Sequence, residues 1–172
     1  MMTIYNQKER IKTMRNLNDY DVIFCDIDDT LIYGFWTRLM AITWKLFECN
    51  TLSNILMDLQ YIYKIYKVNQ KLRHMLVNSN TDVYFITARK FRPATEKMVN
   101  SILQNRDNVS FCHLATSNPD VDKFNKITFL MSQVPYTKGC FFDDNKKVRE
   151  LVSKLDEIDV FDPTVLFENK IG

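Results

Sequence analysis

YDVIFCDIDDTL, spanning Tyr20–Leu31, opens on an apolar run and closes on a cluster of acids. Asp21-Val22-Ile23-Phe24-Cys25 is rich in β-branched and aromatic residues, the pattern of a strand covered on both faces of a sheet. The run stops abruptly at Asp26, Asp28 and Asp29, followed by Thr30. Side chains two residues apart on extended chain point the same way, so Asp26 and Asp28 are expected to emerge together at the strand's carboxyl end. Clustered carboxylates raise one another's pKa unless a cation or a proton offsets them. An oxygen-loving divalent ion, most simply Mg²⁺, is the natural counter-charge. The competing interpretation of this stretch is an Asp-rich turn, where Asp and Thr are ordinary residues.

Composition narrows the class. A chain of 172 residues, 46% of them hydrophobic, suffices for one domain with a real core and a small insertion. A net charge of +2 points to neither nucleic acid nor membrane as a partner. Three glycines and four prolines are too few for linker, collagen-like or disordered sequence. Abundant Asn and Lys with scarce Ala fit an AT-rich genome, as in a phage, a virus or a low-GC bacterium. The first nineteen residues hold no apolar signal core, and no uncharged apolar run approaches the roughly 18 residues of a spanning helix. A cytoplasmic protein without a membrane span is therefore expected. Cys25, Cys112 and Cys140 lie in strand-like runs and Cys49 in a helical stretch, with no C-x-x-C spacing, as expected of free, buried thiols.

Outward from the acidic stretch, strands and helices alternate. Residues 4–18 predict an amphipathic helix with Ile4, Ile11, Met14 and Leu17 near one face, which gives an amino-terminal element over 1–19 and one α/β domain over 20–172. Residues 35–78 contain neither Pro nor Gly and predict helices near 35–48, 51–67 and 69–78, so that about 34–78 forms a helical crossover or small cap. Its aromatics Trp36, Trp44, Tyr61, Tyr63 and Tyr66 are expected to pack in the core rather than stack on substrate, and His74 to lie at the surface. Further strands are expected at 82–86, 109–114, 139–142 and 158–161, and helices at 93–105, 120–133 and 145–155. His113 falls within a strand and is expected to be a core histidine. The alternation predicts a Rossmann-like three-layer sandwich: a mostly parallel five-stranded sheet with helices on both faces and a small helical cap insertion after the first strand.

The polar residues fall at the strand ends. Three apolar strands run into Asp26-Ile27-Asp28-Asp29-Thr30, Thr87-Ala88-Arg89 and Asp143-Asp144-Asn145. In open parallel α/β sheets ligands bind outside the carboxyl ends of the strands, where helix amino ends also favour an anion. Carboxylates alone would repel a phosphate, whereas carboxylates holding Mg²⁺ opposite hydroxyl and ammonium groups would bind one.

In this order the motifs resemble those of the haloacid dehalogenase-like superfamily. Its phosphatases carry D-x-D-x-T after an apolar strand, a Thr or Ser ending a second strand, a lysine near a helix start and an acidic pair after a further strand. The matching residues are Asp26, Asp28 and Thr30, then Thr87, a lysine of Asp122-Lys123-Phe124-Asn125-Lys126, and Asp143-Asp144, over roughly residues 20–162. The resemblance implies a phosphatase in which Asp26 is the nucleophile and forms an aspartyl-phosphate, with Asp28 as general acid and then base. It implies Mg²⁺ held by Asp26, Asp143, Asp144 and the Asp28 carbonyl, and phosphate held by Thr87, the lysine and Thr30. Lys126 is the preferred lysine, because Asn125 would cap a helix starting there; Lys123 is the alternative. Arg89 either touches substrate or forms a surface ion pair, and Asn145 would support the metal shell.

The expected substrate is a phosphorylated small molecule or a nucleotide. A polynucleotide 3′-phosphatase of the same fold is an alternative, although the balanced charge offers no basic stripe for nucleic acid. From a different class, a receiver-like phosphoacceptor domain would also place an acidic pair, Thr and Lys at strand ends, but with its acidic pair before the acceptor Asp. A catalytically silent scaffold is the remaining alternative.

Overall fold

The computed structural model describes residues 16–34, 59–60, 62–116 and 118–166. In chain order its strands are β1 (Val22–Cys25), β2 (Ile32–Tyr33), β3 (Lys67–Val68), β4 (Asp82–Thr87), β5 (Val109–His113), β6 (Gly139–Phe142) and β7 (Ile158–Phe161). The helices are α1 (Gln70–Val77), α2 (Pro93–Ile102), α3 (Pro119–Gln133) and α4 (Lys146–Val152). The expected 4–18 helix and the expected helices near 35–48 and 51–67 fall largely outside the described residues, as do Trp36, Trp44, Tyr61 and Cys49.

Five strands form one wholly parallel sheet in the order β5-β4-β1-β6-β7. β1 lies at its centre, with Cys25 opposite Phe85 of β4 on one side and Phe142 of β6 on the other. The chain winds outward from β1 through β4 and β5, then returns to the far side of β1 to add β6 and β7. The winding therefore reverses between β1 and β6, and such a switch point opens a crevice at the carboxyl ends of the strands. Asp21 helps to align these two strands from the opposite end, its Oδ2 accepting hydrogen bonds from the amides of Thr137 (2.7 Å) and Lys138 (3.0 Å).

The alternation of side chains along the strands divides the core in two. On one face Ile23, Cys25, Val83, Phe85, Cys140 and Phe142 pack with Leu72 and Leu76 of α1 and Met98, Val99 and Ile102 of α2. On the other, Val22, Phe24, Ile86 and Phe141 pack with Ile127 of α3 and Val148 and Val152 of α4. The result is the three-layer α/β sandwich that the strand–helix alternation predicts. Phe24, Phe85, Phe141 and Phe142 are fully buried, each contributing on the order of 1.5–3 kcal/mol by removal from water. Cys25 and Cys140 are buried and Cys112 half-buried, all as free thiols. Tyr66 packs against the first core cluster, whereas Tyr63 is 66% exposed and so departs from the expected core role. Among the described residues no helix is long and apolar enough to cross a membrane.

One element was not expected. β2 and β3 form an antiparallel pair, Ile32 opposite Val68 and Tyr33 opposite Lys67, so the chain just after the D-x-D-x-T loop is laddered to the chain just before α1. Lys67, expected at the end of a helix, lies in this strand. Asn69 then caps α1, its side-chain oxygen accepting from the Leu72 amide (3.2 Å), while its Nδ2 donates to the carbonyls of Thr30 and Pro163 (both 3.3 Å). This buried Asn joins the start of α1 to the acidic loop.

Candidate functional site

Asp26 follows β1 directly, and its amide donates to the Phe142 carbonyl (2.9 Å), so the parallel pairing with β6 carries it to the crevice. Asp143 occupies the matching place after β6 and is fully buried. Between them lies Lys123 of α3, with Nζ 2.8 Å from Asp26 Oδ1 and 2.6 Å from Asp143 Oδ2. Asp143 uses its other oxygen to accept the Asn145 amide (2.8 Å). Asp144 completes an acidic triad: one carboxylate oxygen each from Asp26, Asp143 and Asp144 lie within 4.8 Å of one another.

Charge in this triad is unbalanced. Burial raises the Asp26 carboxyl well above its ordinary range; Lys123 pulls it down, and the Asp143 and Asp28 charges push it further up. Burial, then the charges of Asp143 and Asp29, push Asp144 up to about 7. Burial works against the Lys123 ammonium, but Asp26 and Asp143 more than offset this and raise its pKa, so the lysine stays charged. Among the described residues, three carboxylates thus share one ammonium, with Asp26, Asp143 and Lys123 all buried. An all-oxygen donor set with excess negative charge suits a hard divalent cation, and Asp26, Asp143 and Asp144 are the residues able to hold one.

The loop carrying Asp143 and Asp144 is fixed from behind. Buried Arg149 donates to the carbonyls of Asp143 (2.6 Å) and Asp144 (2.5 Å) and pairs with Asp162 (2.6 Å). The Asp144 amide donates to Thr30 Oγ1 (3.1 Å), which ties the two acidic loops together. Thr30 is fully buried, and its hydroxyl oxygen is taken by this neighbouring loop. Asn145 caps α4 by accepting the Lys147 amide (3.0 Å), and its Nδ2 donates to Asp120 (3.2 Å). It steadies Asp143 through its backbone rather than facing the triad with its amide.

Two further expectations need correction. Lys126 is not the lysine of the cluster: its Nζ lies over the Phe129 ring, 5.2 Å from the centroid. The helix begins at Pro119, well before Asn125, and Pro suits that first turn. Lys123 then precedes Ile127 by four residues and shares its sheet-facing stripe, and these two are the buried residues of α3. Phase counted from Asn118-Pro119 would have selected Lys123. The second concerns Asp28: its carboxylate is not one of the clustered triad, although its charge still acts on Asp26. The chain leaves the extended conformation after Cys25, Ile27 accepts the amides of both Leu31 and Ile32 (3.0 Å each), and Asp29 takes a left-handed φ of 50°.

The Asp28 carboxylate instead receives the guanidinium of Arg89, with Nε donating to Oδ2 at 2.5 Å and Nη2 donating to Oδ1. The Arg89 amide donates to Thr87 Oγ1 (3.1 Å), leaving the hydroxyl hydrogen of Thr87 to donate elsewhere. Thr87 ends β4, next to β1 in the sheet. His113 ends β5 and pairs with Glu96 (3.2 Å) in contact with Phe91 and Phe111; His74 is exposed. The structure thus gathers Asp26, Lys123, Asp143 and Asp144 into one cluster and links Asp28 to Thr87 through Arg89. No protein-family model matches the chain, and no curated protein does.

Proposed function

We propose that this protein is a Mg²⁺-dependent phosphomonoesterase of the haloacid dehalogenase-like kind, working through an aspartyl-phosphate on Asp26. The observation that carries this proposal is the Lys123 bridge between Asp26 and Asp143, set in an under-compensated acidic triad at the switch point of a parallel sheet. Asp26, Asp143 and Asp144, with the Asp28 carbonyl, would hold Mg²⁺. Bound there, the ion would offset the negative charge shared by the carboxylates and the phosphoryl oxygens.

The chain's own residues supply the remaining chemistry. Lys123 fixes one oxygen of Asp26 and leaves the other to attack phosphorus. As the new oxygen–phosphorus bond forms, the bond to the leaving oxygen breaks, and Asp28 supplies the proton that oxygen needs. Asp28 then takes a proton from water, whose oxygen attacks the same phosphorus. The bond to Asp26 breaks, inorganic phosphate leaves and the carboxylate is restored. The Thr87 hydroxyl and the Lys123 ammonium favour the charge that builds on the phosphoryl oxygens. The substrate class is a phosphorylated small molecule or nucleotide.

The test is hydrolysis of p-nitrophenyl phosphate with and without Mg²⁺. The wild-type protein should turn over only with the metal, and Asp26→Asn should lose activity by about 10⁴-fold or more, as expected for removal of a covalent nucleophile. Wild-type turnover by Asp26→Asn would rule the mechanism out.

A further inference from the structure

We infer that Arg89 is the positioning residue for Asp28, aiming its carboxylate at the leaving group without touching substrate itself. This inference rests on the phosphatase proposal and adds a residue to it. A fork-shaped guanidinium bound through two parallel N–H donors fixes not only the distance but also the plane of a carboxylate. Asp28 needs that help, because it lies in a loop beyond the end of β1 and next to the left-handed turn at Asp29.

The exposure of the two partners gives their order. The Arg89 side chain is 4% exposed and that of Asp28 35%. The guanidinium is therefore a buried anchor, and the carboxylate is the part that reaches solvent. A substrate phosphate entering the crevice would meet Asp28 before Arg89. This arrangement is neither the substrate contact nor the surface ion pair expected of Arg89.

Its backbone adds a second constraint. Because the Arg89 amide donates to Thr87 Oγ1, the tripeptide Thr87-Ala88-Arg89 sets two things at once: the rotamer of the phosphate-facing hydroxyl and the origin of the arm that holds Asp28. β4 and β1 are neighbouring parallel strands, so this tripeptide transfers the register of the sheet to the loop beyond β1.

A residue that acts through a general acid has a kinetic signature that a merely structural residue lacks. A poor leaving group depends on protonation and an activated aryl leaving group much less. The experiment compares Arg89→Met, Arg89→Lys, Asp28→Asn and the Arg89→Met/Asp28→Asn double variant on glycerol phosphate and p-nitrophenyl phosphate, each with Mg²⁺. For Arg89→Met we expect kcat on glycerol phosphate to fall about 10²-fold, the effect of misplacing a catalytic group by about 1 Å. The loss on p-nitrophenyl phosphate should stay below about 10-fold, with KM little changed on either substrate. Arg89→Lys, a point charge without the fork, should recover only part of the loss, and the double variant should be no worse than Asp28→Asn alone.

Equal losses on both substrates, or a raised KM with kcat intact, would overturn the inference. A double variant worse than either single one would do the same. The Arg89 Nε–H proton resonance gives a readout independent of turnover. It should be slow to exchange in the wild type and lose that protection in Asp28→Asn, and its absence from the wild type would also overturn the inference. An intact resonance in a wild-type protein that hydrolyses neither substrate would instead overturn the phosphatase proposal, and this inference with it.

Discussion

Two aspartates two positions apart sit in opposite electrostatic surroundings. Asp26 is buried among carboxylates that, among the described residues, outnumber the ammonium of Lys123. Asp28 is about a third exposed and matched one-to-one by Arg89. The first arrangement is unfinished, because burial and neighbouring negative charge leave room for a further cation. The second is complete as it stands. One side-chain chemistry thereby meets two environments, and the difference comes from the surroundings rather than the residue type.

The largest effect that could break this contrast is loss of the shared ammonium. Lys123 is 4% exposed, so Lys123→Met leaves buried carboxylates without compensation and should lower unfolding stability by about 3–5 kcal/mol at pH 8. The loss should shrink at pH 5, where the carboxyls take up protons. Urea denaturation at the two pH values checks this, and unchanged stability at pH 8 would deny Lys123 its bridging place. Activity should fall with it.

Next in size is the metal response. Asp143→Asn removes a full charge from the triad and should move the Mg²⁺ midpoint for activity upward by about 10-fold or more, since each such ligand or its support is worth about 10–100-fold in metal affinity. An identical midpoint in a metal titration would place the ion elsewhere.

The pH dependence of stability sharpens the contrast further. Asp144 is raised from 3.8 to about 7, and Asp26 is raised as well. Over the window from about 4 to about 7 the folded protein holds protons that the unfolded chain has released, so these groups make stability fall as pH rises. On the proposed function a cation would bind the ionised triad, so Mg²⁺ should raise the melting temperature more at pH 8 than at pH 5. Scanning calorimetry with and without Mg²⁺ tests the sign, and a larger effect at pH 5 would contradict it.

The smallest expected effect is a control. Lys126 lies over Phe129, outside the cluster, and Lys126→Ala should change stability by no more than about 0.5 kcal/mol and leave the Mg²⁺ midpoint unchanged. A metal titration beside a urea melt would reveal any departure.

Much of this architecture was legible in the chain. The uninterrupted apolar runs at Val22–Cys25 and Gly139–Phe142 identified strands covered on both faces, and the acids that end them marked the crevice. The β2–β3 pair was not legible, because a two-residue strand leaves no period to detect and exists only through its partner. Lys123 was recoverable from helix phase, but only with the start placed at Asn118-Pro119 rather than Asn125. Arg149 carried no local signal, since two of its partners are backbone carbonyls that any residue could offer and its ion-pair partner Asp162 lies beyond β7. Thr30 was assigned by motif to the ligand, and its hydroxyl serves the neighbouring loop.

The α/β class, the strands of the sheet and the clustering of acids at strand ends follow from residue order alone, because burial on two faces and carboxylate repulsion are written in residue type and spacing. Which cation neutralises which aspartate emerges with the folded chain. Lys123 meets Asp26, and Arg89 meets Asp28, across 97 and 61 positions of chain. Ion pairs over such separations depend on strand order, helix phase and one left-handed residue, none of which a local pattern encodes.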